Sequence, residues 1–246
     1  RPKRRTWNET WEQDEQRARI IAAAIVGAFL FVPESKDPEV SRLDPVGAVL
    51  SIGANRKRLT PVDVVGLSSG VAALAAGADH TCALTAGGAV KCWGRNHDGQ
   101  LGDGSTTGRL APVDVAGLTS GVTALAAGMT HTCAIAAGGA AKCWGGNQDG
   151  QLGDNSTTNR PAPVDVSGPS SGFTAISAGR AHTCAIAPGG TVKCWGEAAF
   201  GQLGDDSRTD RPVPGDVPGL AGGVAAITVG GSHSCALTTG GGLKCW

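Results

Sequence analysis

Tyrosine is absent from these 246 residues, methionine occurs once, and the aromatic content is only 4%. Glycine is abundant instead, with 39 residues set at fixed offsets and not in tracts, which points to many tight turns between short strands. An excess of either charge is missing too, since the formal net charge is zero. Residues 1–58 hold 11 Lys/Arg and 8 Asp/Glu, and the remainder holds 10 and 13, so the larger part is slightly acidic. That balance argues against a phosphate-backbone partner, and no nucleic-acid role is expected. Long apolar runs are also lacking. The longest, Ile20–Val32, covers 13 residues before Pro33, short of the roughly 20 that span a bilayer. The single methionine, Met129, is internal, and the last residue, Trp246, falls in the middle of a repeated unit, so both termini read as fragment ends.

What the chain does have is repetition. Cys-Trp pairs stand at Cys92-Trp93, Cys143-Trp144, Cys194-Trp195 and Cys245-Trp246, each 51 residues after the last. The segment HTCAL at His80 recurs as HTCAI at His131 and His182, and as HSCAL at His233. A fixed period near 50 marks an array in which each unit needs its neighbours to bury an apolar face. The units are 58–108, 109–159, 160–210 and a partial 211–246, preceded by a different segment, 1–57. In the second unit four strands are predicted, at Pro112–Val115, Val122–Ala127, His131–Ala136 and Ala140–Gly145, the last two flanking a Gly-containing hairpin loop. Four antiparallel strands per unit is the sequence form of a β-propeller blade, and the expected class is all-β, a propeller-type repeat array.

The loop Trp93-Gly94-Arg95-Asn96-His97-Asp98-Gly99-Gln100-Leu101-Gly102-Asp103 recurs from Trp144 to Asp154, and from Trp195 to Asp205 with Ala198 in place of Asn. With the upstream AGxxHTCAL and GGxxKCWG segments, these units resemble the regulator-of-chromosome-condensation repeat family over 58–246. The resemblance implies a propeller, usually a ring of seven blades, so that three complete units and a partial fourth form an arc of a larger one. Family members include nucleotide-exchange factors for a small nuclear GTPase and a secreted bacterial propeller that inhibits β-lactamases. The first role fits poorly with slightly acidic, cysteine-bearing units.

In the leader, a charged helix is expected from Thr10 after Asn8 as N-cap, followed by the apolar run. The run reads as a signal-peptide core, a buried helix or the end of a longer span, and the bulky Phe29-Leu30-Phe31-Val32-Pro33 disfavours a cleavage site. Residues 31–54 resemble a fragment of a major facilitator superfamily drug/proton antiporter, through Pro33-Glu34-Ser35, Asp37-Pro38, Arg42-Leu43-Asp44 and Gly47-Ala48. Such a fragment lacks the helix bundle that transport needs, and any membrane contact is expected only through 20–54.

The eight cysteines form four symmetric pairs. If Thr85 faces Ala89 across the hairpin, then Leu84 faces Val90 and Cys82 faces Cys92 on one side of the sheet. Opposed Cβ atoms come within disulfide reach only at the closer, non-hydrogen-bonded type of pair. Cys133/Cys143, Cys184/Cys194 and Cys235/Cys245 repeat the pattern. Reduced cysteines acting as small core residues are one competing reading, and zinc held by His80, Cys82 and Cys92 is another, although His-x-Cys is a poor bite for tetrahedral zinc. Paired cysteines favour an oxidising compartment.

His80, His131, His182 and His233 share one register, which suits a ring nitrogen bonding a buried carbonyl at each blade junction better than catalysis. The glycine-aspartate loop lacks the alternating ligands and bidentate Glu of a calcium site. No cofactor and no metal are expected. Two windows vary between units: the two residues before each His, and the four after each Trp-Gly. Variable loop residues on a rigid scaffold are where recognition sits. The candidate binding residues are therefore Arg95, Asn96, His97, Gln148, Arg180, Glu197 and Phe200. The expected function is a noncatalytic, exported propeller module that binds a protein or a cell-surface polymer, extracellular or at the cell surface. The alternatives are an accessory repeat region of a larger secreted or membrane-anchored enzyme or sensor, and a transporter–repeat fusion fragment without transport activity.

Overall fold

Six-residue runs such as His131-Thr-Cys-Ala-Ile-Ala136, closed at both ends by glycine-containing turns, have the length and small or β-branched side chains that suit strands buried on both faces. The computed structural model describes residues 61–168 and 172–246. The leader 1–57, including Ile20–Val32 and the antiporter-like 31–54, lies outside the described residues.

Fifteen strands form four antiparallel sheets among the described residues. The first sheet contains β1 (Val71–Ala76), β2 (His80–Thr85), β3 (Val90–Gly94) and β4 (Arg109–Asp114), in that spatial order. The second repeats it with β5 (Val122–Ala127), β6 (His131–Ala136), β7 (Ala141–Gly145) and β8 (Arg160–Asp165). The third has β9 (Ala175–Ala178), β10 (His182–Ala187), β11 (Thr191–Gly196) and β12 (Arg211–Asp216), and the fourth has β13 (Val224–Val229), β14 (Ser234–Thr238) and β15 (Leu243–Cys245). The all-β propeller-type class expected from the period is what the chain adopts. No helix among the described residues is long and apolar enough to cross a membrane.

The phase of the sheets differs from that of the sequence units. The first strand of unit 109–159 runs from Arg109 to Asp114 and pairs with β3 of the preceding unit, with Lys91 opposite Asp114 and Cys92 opposite Val113. Each later boundary between units is likewise bridged inside one sheet, by β8 on β7 and by β12 on β11. The ladder itself and the burial of Val115, Val166 and Val217 just after each outer strand hold it there. Lys91, Lys142 and Lys193 each reach the Asp of the next unit (Asp114, Asp165, Asp216) at 2.6 Å on the exposed face of that pairing, a minor addition to it.

The core is a stack of layers between sheets. Cys82, Leu84, Val90, Cys92 and Leu101 of the first unit, with Val115 and Leu118 of the second, close against Val122, Leu125, Ala134 and Trp144, also of the second. The next layer gathers Cys133, Ile135, Ala141, Cys143, Leu152, Val166 and Phe173 and is closed by Trp195, and the third is closed by Trp246. Disulfides join Cys82–Cys92, Cys133–Cys143, Cys184–Cys194 and Cys235–Cys245, each with a Cα–Cα distance of 4.1 Å, the closer type of cross-strand pair. The first three are wholly buried within the layers.

Closing so short a loop stabilises by about 2–3 kcal/mol in the chain-entropy picture. The paired substitution Cys133→Ala/Cys143→Ala is therefore expected to lower the free energy of unfolding by at least about 2–3 kcal/mol, read from the denaturant midpoint. An unchanged midpoint would show that the crosslink contributes nothing to stability.

Candidate protein-binding face

The loop after β3 is organised by one side chain. Asn96 is buried; its amide nitrogen donates to Asp103 Oδ1 (3.2 Å) and to the carbonyls of Ser105 (3.0 Å) and Thr107 (3.1 Å), and its oxygen accepts from Leu101 N (2.9 Å). Asp103 in turn accepts from the Ser105 hydroxyl at 2.7 Å and from Arg109 Nε at 2.8 Å. Burial alone would raise the Asp103 carboxyl, but the Ser105 and Arg109 bonds outweigh it and hold its pKa below the usual carboxylate value. Asn147, Asp154 and Arg160 repeat the arrangement. Its place in a variable window makes Asn96 a candidate binding residue by sequence. The structure makes it a loop pin with no free polar group to offer a partner.

The loop delivers a backbone carbonyl to the neighbouring sheet. Gln100 O accepts from the Thr132 hydroxyl and from the Trp144 indole Nε1, both at 2.9 Å. Thr132 Oγ1 also lies 2.8 Å from His80 Nε2. A threonine hydroxyl has one hydrogen, and it is committed to Gln100 O. His80 Nε2 must therefore be the donor, which makes the ring the neutral Nε2–H tautomer with an unpartnered Nδ1. The relay recurs as His131–Thr183–Gln151 with Trp195, and as His182–Ser234–Gln202 with Trp246. The carbonyl expected as the histidine partner is thus one bond further on, reached through a hydroxyl. Gly77, Gly128 and Gly179 lie flat against these rings, where a Cβ would collide with the imidazole and, in each case, with a backbone carbonyl of the next repeat. Gly102 (φ +69°) would bring a Cβ within 2.7 Å of Trp144 Nε1.

The two variable windows of each sheet are joined by a main-chain bond. Arg95 N donates to Asp79 O, Gly146 N to Thr130 O and Glu197 N to Ala181 O, all at 2.8 Å. The windows thus lie side by side in three successive copies, and their side chains match within each copy. Arg95 meets Asp79 at 3.4 Å; Arg180 meets Glu197 at 2.6 Å, with the charges exchanged between windows. Between them, Gly146 leaves room for Thr130, whose Oγ1 would stand 2.5 Å from a Cβ at that position. This reciprocity is present in the sequence as Asp79/Arg95 against Arg180/Glu197, and is missed when each window is read alone.

A recess of about 260 Å³ opens on this face, lined among others by Asp98, Met129, Thr130, Gln148, Asp149 and Arg180. Asp149 is raised above its ordinary carboxylate pKa, first by burial and then by Glu197 and Asp210, with Arg180 opposing. Of the candidates, Gln148 and Arg180 line the recess, and Glu197 is buried beneath Arg180. Arg95, His97 and Phe200 are exposed and do not line it; Phe200 is 67% accessible. Ser68 stands in the nucleophile-like spacing Gly66-Leu67-Ser68-Ser69-Gly70. It precedes a strand in an exposed turn, whereas a nucleophile elbow follows a strand and opens a helix.

The chain matches the regulator of chromosome condensation (RCC1) repeat over residues 88–135, 143–186 and 189–237, and a second description of the same repeat over 71–100, 122–151 and 173–202. It belongs to the RCC1-repeat family. It is 31% identical to the ultraviolet-B receptor UVR8 of Arabidopsis thaliana over 80% of this chain and 46% of that protein. It is 34% identical to human E3 ubiquitin-protein ligase HERC2 over 76% of this chain and 4% of that protein. Saccharomyces cerevisiae Prp20p has the same fold, with a TM-score of 0.66 and 23% identity over 76% of this chain and 48% of that one. The chain thus spans less than half the length of these relatives.

The buried histidines set an acid limit on stability. Burial lowers His80 and His182 to about 4 and His131 to about 3, against 6.5 in the unfolded chain. Between these values the unfolded chain binds more protons, so the stability is fully present above the unfolded value and falls as the pH drops toward the folded ones. Titrating the thermal midpoint from about pH 7.5 to about pH 4.5 should show this loss, and His131→Gln should flatten the slope. An identical slope in the variant would remove His131 from the account. At neutral pH the same variant should be less stable by about 1–3 kcal/mol, because Thr183 loses its histidine partner.

Proposed function

We propose that the chain is a noncatalytic β-propeller module that binds another protein through the face carrying the two joined windows. One observation carries the reading. The histidines that recur at one register are bonded at the three sheet junctions, while most of the recess lining (Met129, Thr130, Gly146, Gln148, Arg180 and Ala181) stands at positions that differ between copies. The three junction histidines are part of the packing: each donates from Nε2 to a hydroxyl on the next sheet, and the whole ring, its unpartnered Nδ1 included, is buried. Chemical variety is concentrated in Met129, Gln148, Asp149, Arg180 and Phe200, and an exposed arginine and aromatic are the side chains that most often anchor an interface. Prp20p has binding properties toward Gsp1p and histones; its 23% identity extends only the fold to this chain. The slight acidity of the repeats favours a protein over a nucleic acid as partner.

Four disulfides suit an oxidising compartment, and export to the cell exterior is part of this proposal. A second reading, an accessory region of a larger enzyme or sensor, is favoured by HERC2, where the matched repeats are a small share of a ligase.

The immobilised 246-residue chain should capture a protein from extract of its source. Arg180→Ala and Phe200→Ala should each weaken capture by about 1–3 kcal/mol; Phe200→Ala should leave the thermal midpoint close to the parent's, whereas Arg180→Ala also lowers it by leaving the buried Glu197 unpaired. Capture that survives both substitutions would place the partner elsewhere, and a turnover lost in His131→Gln would replace binding with catalysis.

A further inference from the structure

The recess on the window face belongs to the second copy. In the first and third copies the joined windows hold an ion pair of their own, Asp79 with Arg95 and Arg180 with Glu197. In the second, Thr130 and Gly146 stand at the corresponding places, and neither supplies a charge. The walls come from the loops after β3 and β7 and from the turns before β6 and β10, so three consecutive sheets build them.

The charges in those walls do not balance. Asp98 and Asp149 both line the recess, and among the described residues neither is ion-paired; Asp98 accepts only an amide, from Asn159 Nδ2 at 3.1 Å. Arg180 is the basic residue of the lining, but its guanidinium is held 2.6 Å from Glu197, a carboxylate that is itself buried. That pair cancels, and two negative charges are left facing about 260 Å³. Asp149 registers the imbalance, since after burial it is Glu197 and Asp210 that raise its carboxyl, against the one opposing arginine.

A second group there is unspent. Gln151 lines the recess and is only 3% accessible. Its Oε1 accepts from Asp149 N at 3.0 Å, while its Nε2 meets no acceptor among the described residues. The same nitrogen is sealed inside the protein at Gln100 and Gln202, whereas Gln151 opens on the recess. An unpartnered amide donor at such a place calls for a carbonyl.

We infer that the recess takes one lysine or arginine residue of the protein partner, its cationic head between Asp98 and Asp149 and its peptide carbonyl on Gln151 Nε2. This rests on the protein-binding reading and names the side chain that the partner presents. A space of that size suits one long side chain. An acidic one would meet two carboxylates, and an apolar one would strip them of water without pairing them.

The isotope-labelled 246-residue chain tests this without a partner. Titration with the N-methylamides of Nα-acetyl-arginine and Nα-acetyl-lysine, to about 20 mM, should give saturable amide shifts at Thr130, Gln148, Asp149, Gln151 and Ala181. The citrulline analogue, which keeps the shape without the charge, should bind at least about tenfold more weakly. Methylguanidinium, which has the charge but no carbonyl, should also bind more weakly than the arginine probe. Asp149→Asn should weaken both probes at least about fivefold, with a thermal midpoint no lower than the parent's because the repulsion from Glu197 and Asp210 is relieved. Gln148→Lys, which supplies a cation from within the lining, should block both. No saturable shift, equal binding of either analogue, or unchanged binding by Asp149→Asn would each overturn the inference. A chain that captures a protein yet ignores both probes keeps the binding reading and loses this one.

Discussion

Three backbone carbonyls, those of Gln100, Gln151 and Gln202, fix how one sheet sits on the next. Each accepts two hydrogen bonds from the following sheet, one from an indole and one from a hydroxyl. A carbonyl has two lone pairs, and here both are used, so the loop tip cannot shift toward either donor without losing the other. The hydroxyl has its single proton in that bond, which forces the histidine of the preceding sheet to donate to it. Direction therefore propagates through the relay, from loop to sheet to histidine, and each junction repeats the same proton arrangement. The cost is a buried Nδ1 with no partner at each histidine, and the low basicity that burial imposes keeps the ring neutral at physiological pH.

Because the junction uses side chains at fixed positions, the loop residues beside it are released from that task. They are not free of each other. A main-chain bond places Asp79 beside Arg95, Thr130 beside Gly146 and Ala181 beside Glu197, so a change in one window selects what the other can hold. Opposite charges meet in the first and third copies; in the second, a glycine makes room for a threonine. The recess opens at that second copy, where the small residue stands. Surface chemistry in this fold is thus set by pairs of windows and not by single loop positions.

The strands, hairpins and cysteine pairs are legible in the sequence because all three depend on local spacing: a period of two within a strand, and one turn between Cys82 and Cys92. Which sheet receives Arg109–Asp114 is not. That choice is a main-chain pairing of Lys91 with Asp114 and of Cys92 with Val113, across 23 and 21 residues, and a single repeat unit contains both types of strand without saying which copies pair. Asn96 is misplaced among the binding candidates for a related reason. Its replacement by Ala198 in the third copy makes the position look variable, although where Asn is present it ties together backbone and side-chain groups from across the loop. Variation between repeats records that a copy can do without a residue, and not that the residue faces solvent.

The scarcity of aromatics and the crosslinks belong to one physical arrangement. Each layer has one tryptophan, the second adds Phe173, and the rest is Ala, Val, Leu, Ile and cystine. Such small groups let the sheets approach closely but remove less apolar area per residue from water. Glycines in the turns add to the conformational entropy that folding must overcome. A hairpin disulfide answers both deficits in the same place. It restricts the unfolded chain around the glycine turn, and its sulfur atoms fill the layer beside the tryptophan of the next sheet. Since each crosslink lies within a sheet and none joins two sheets, cohesion between sheets comes from the apolar layers and from the polar relay of histidine, hydroxyl, carbonyl and indole at each junction.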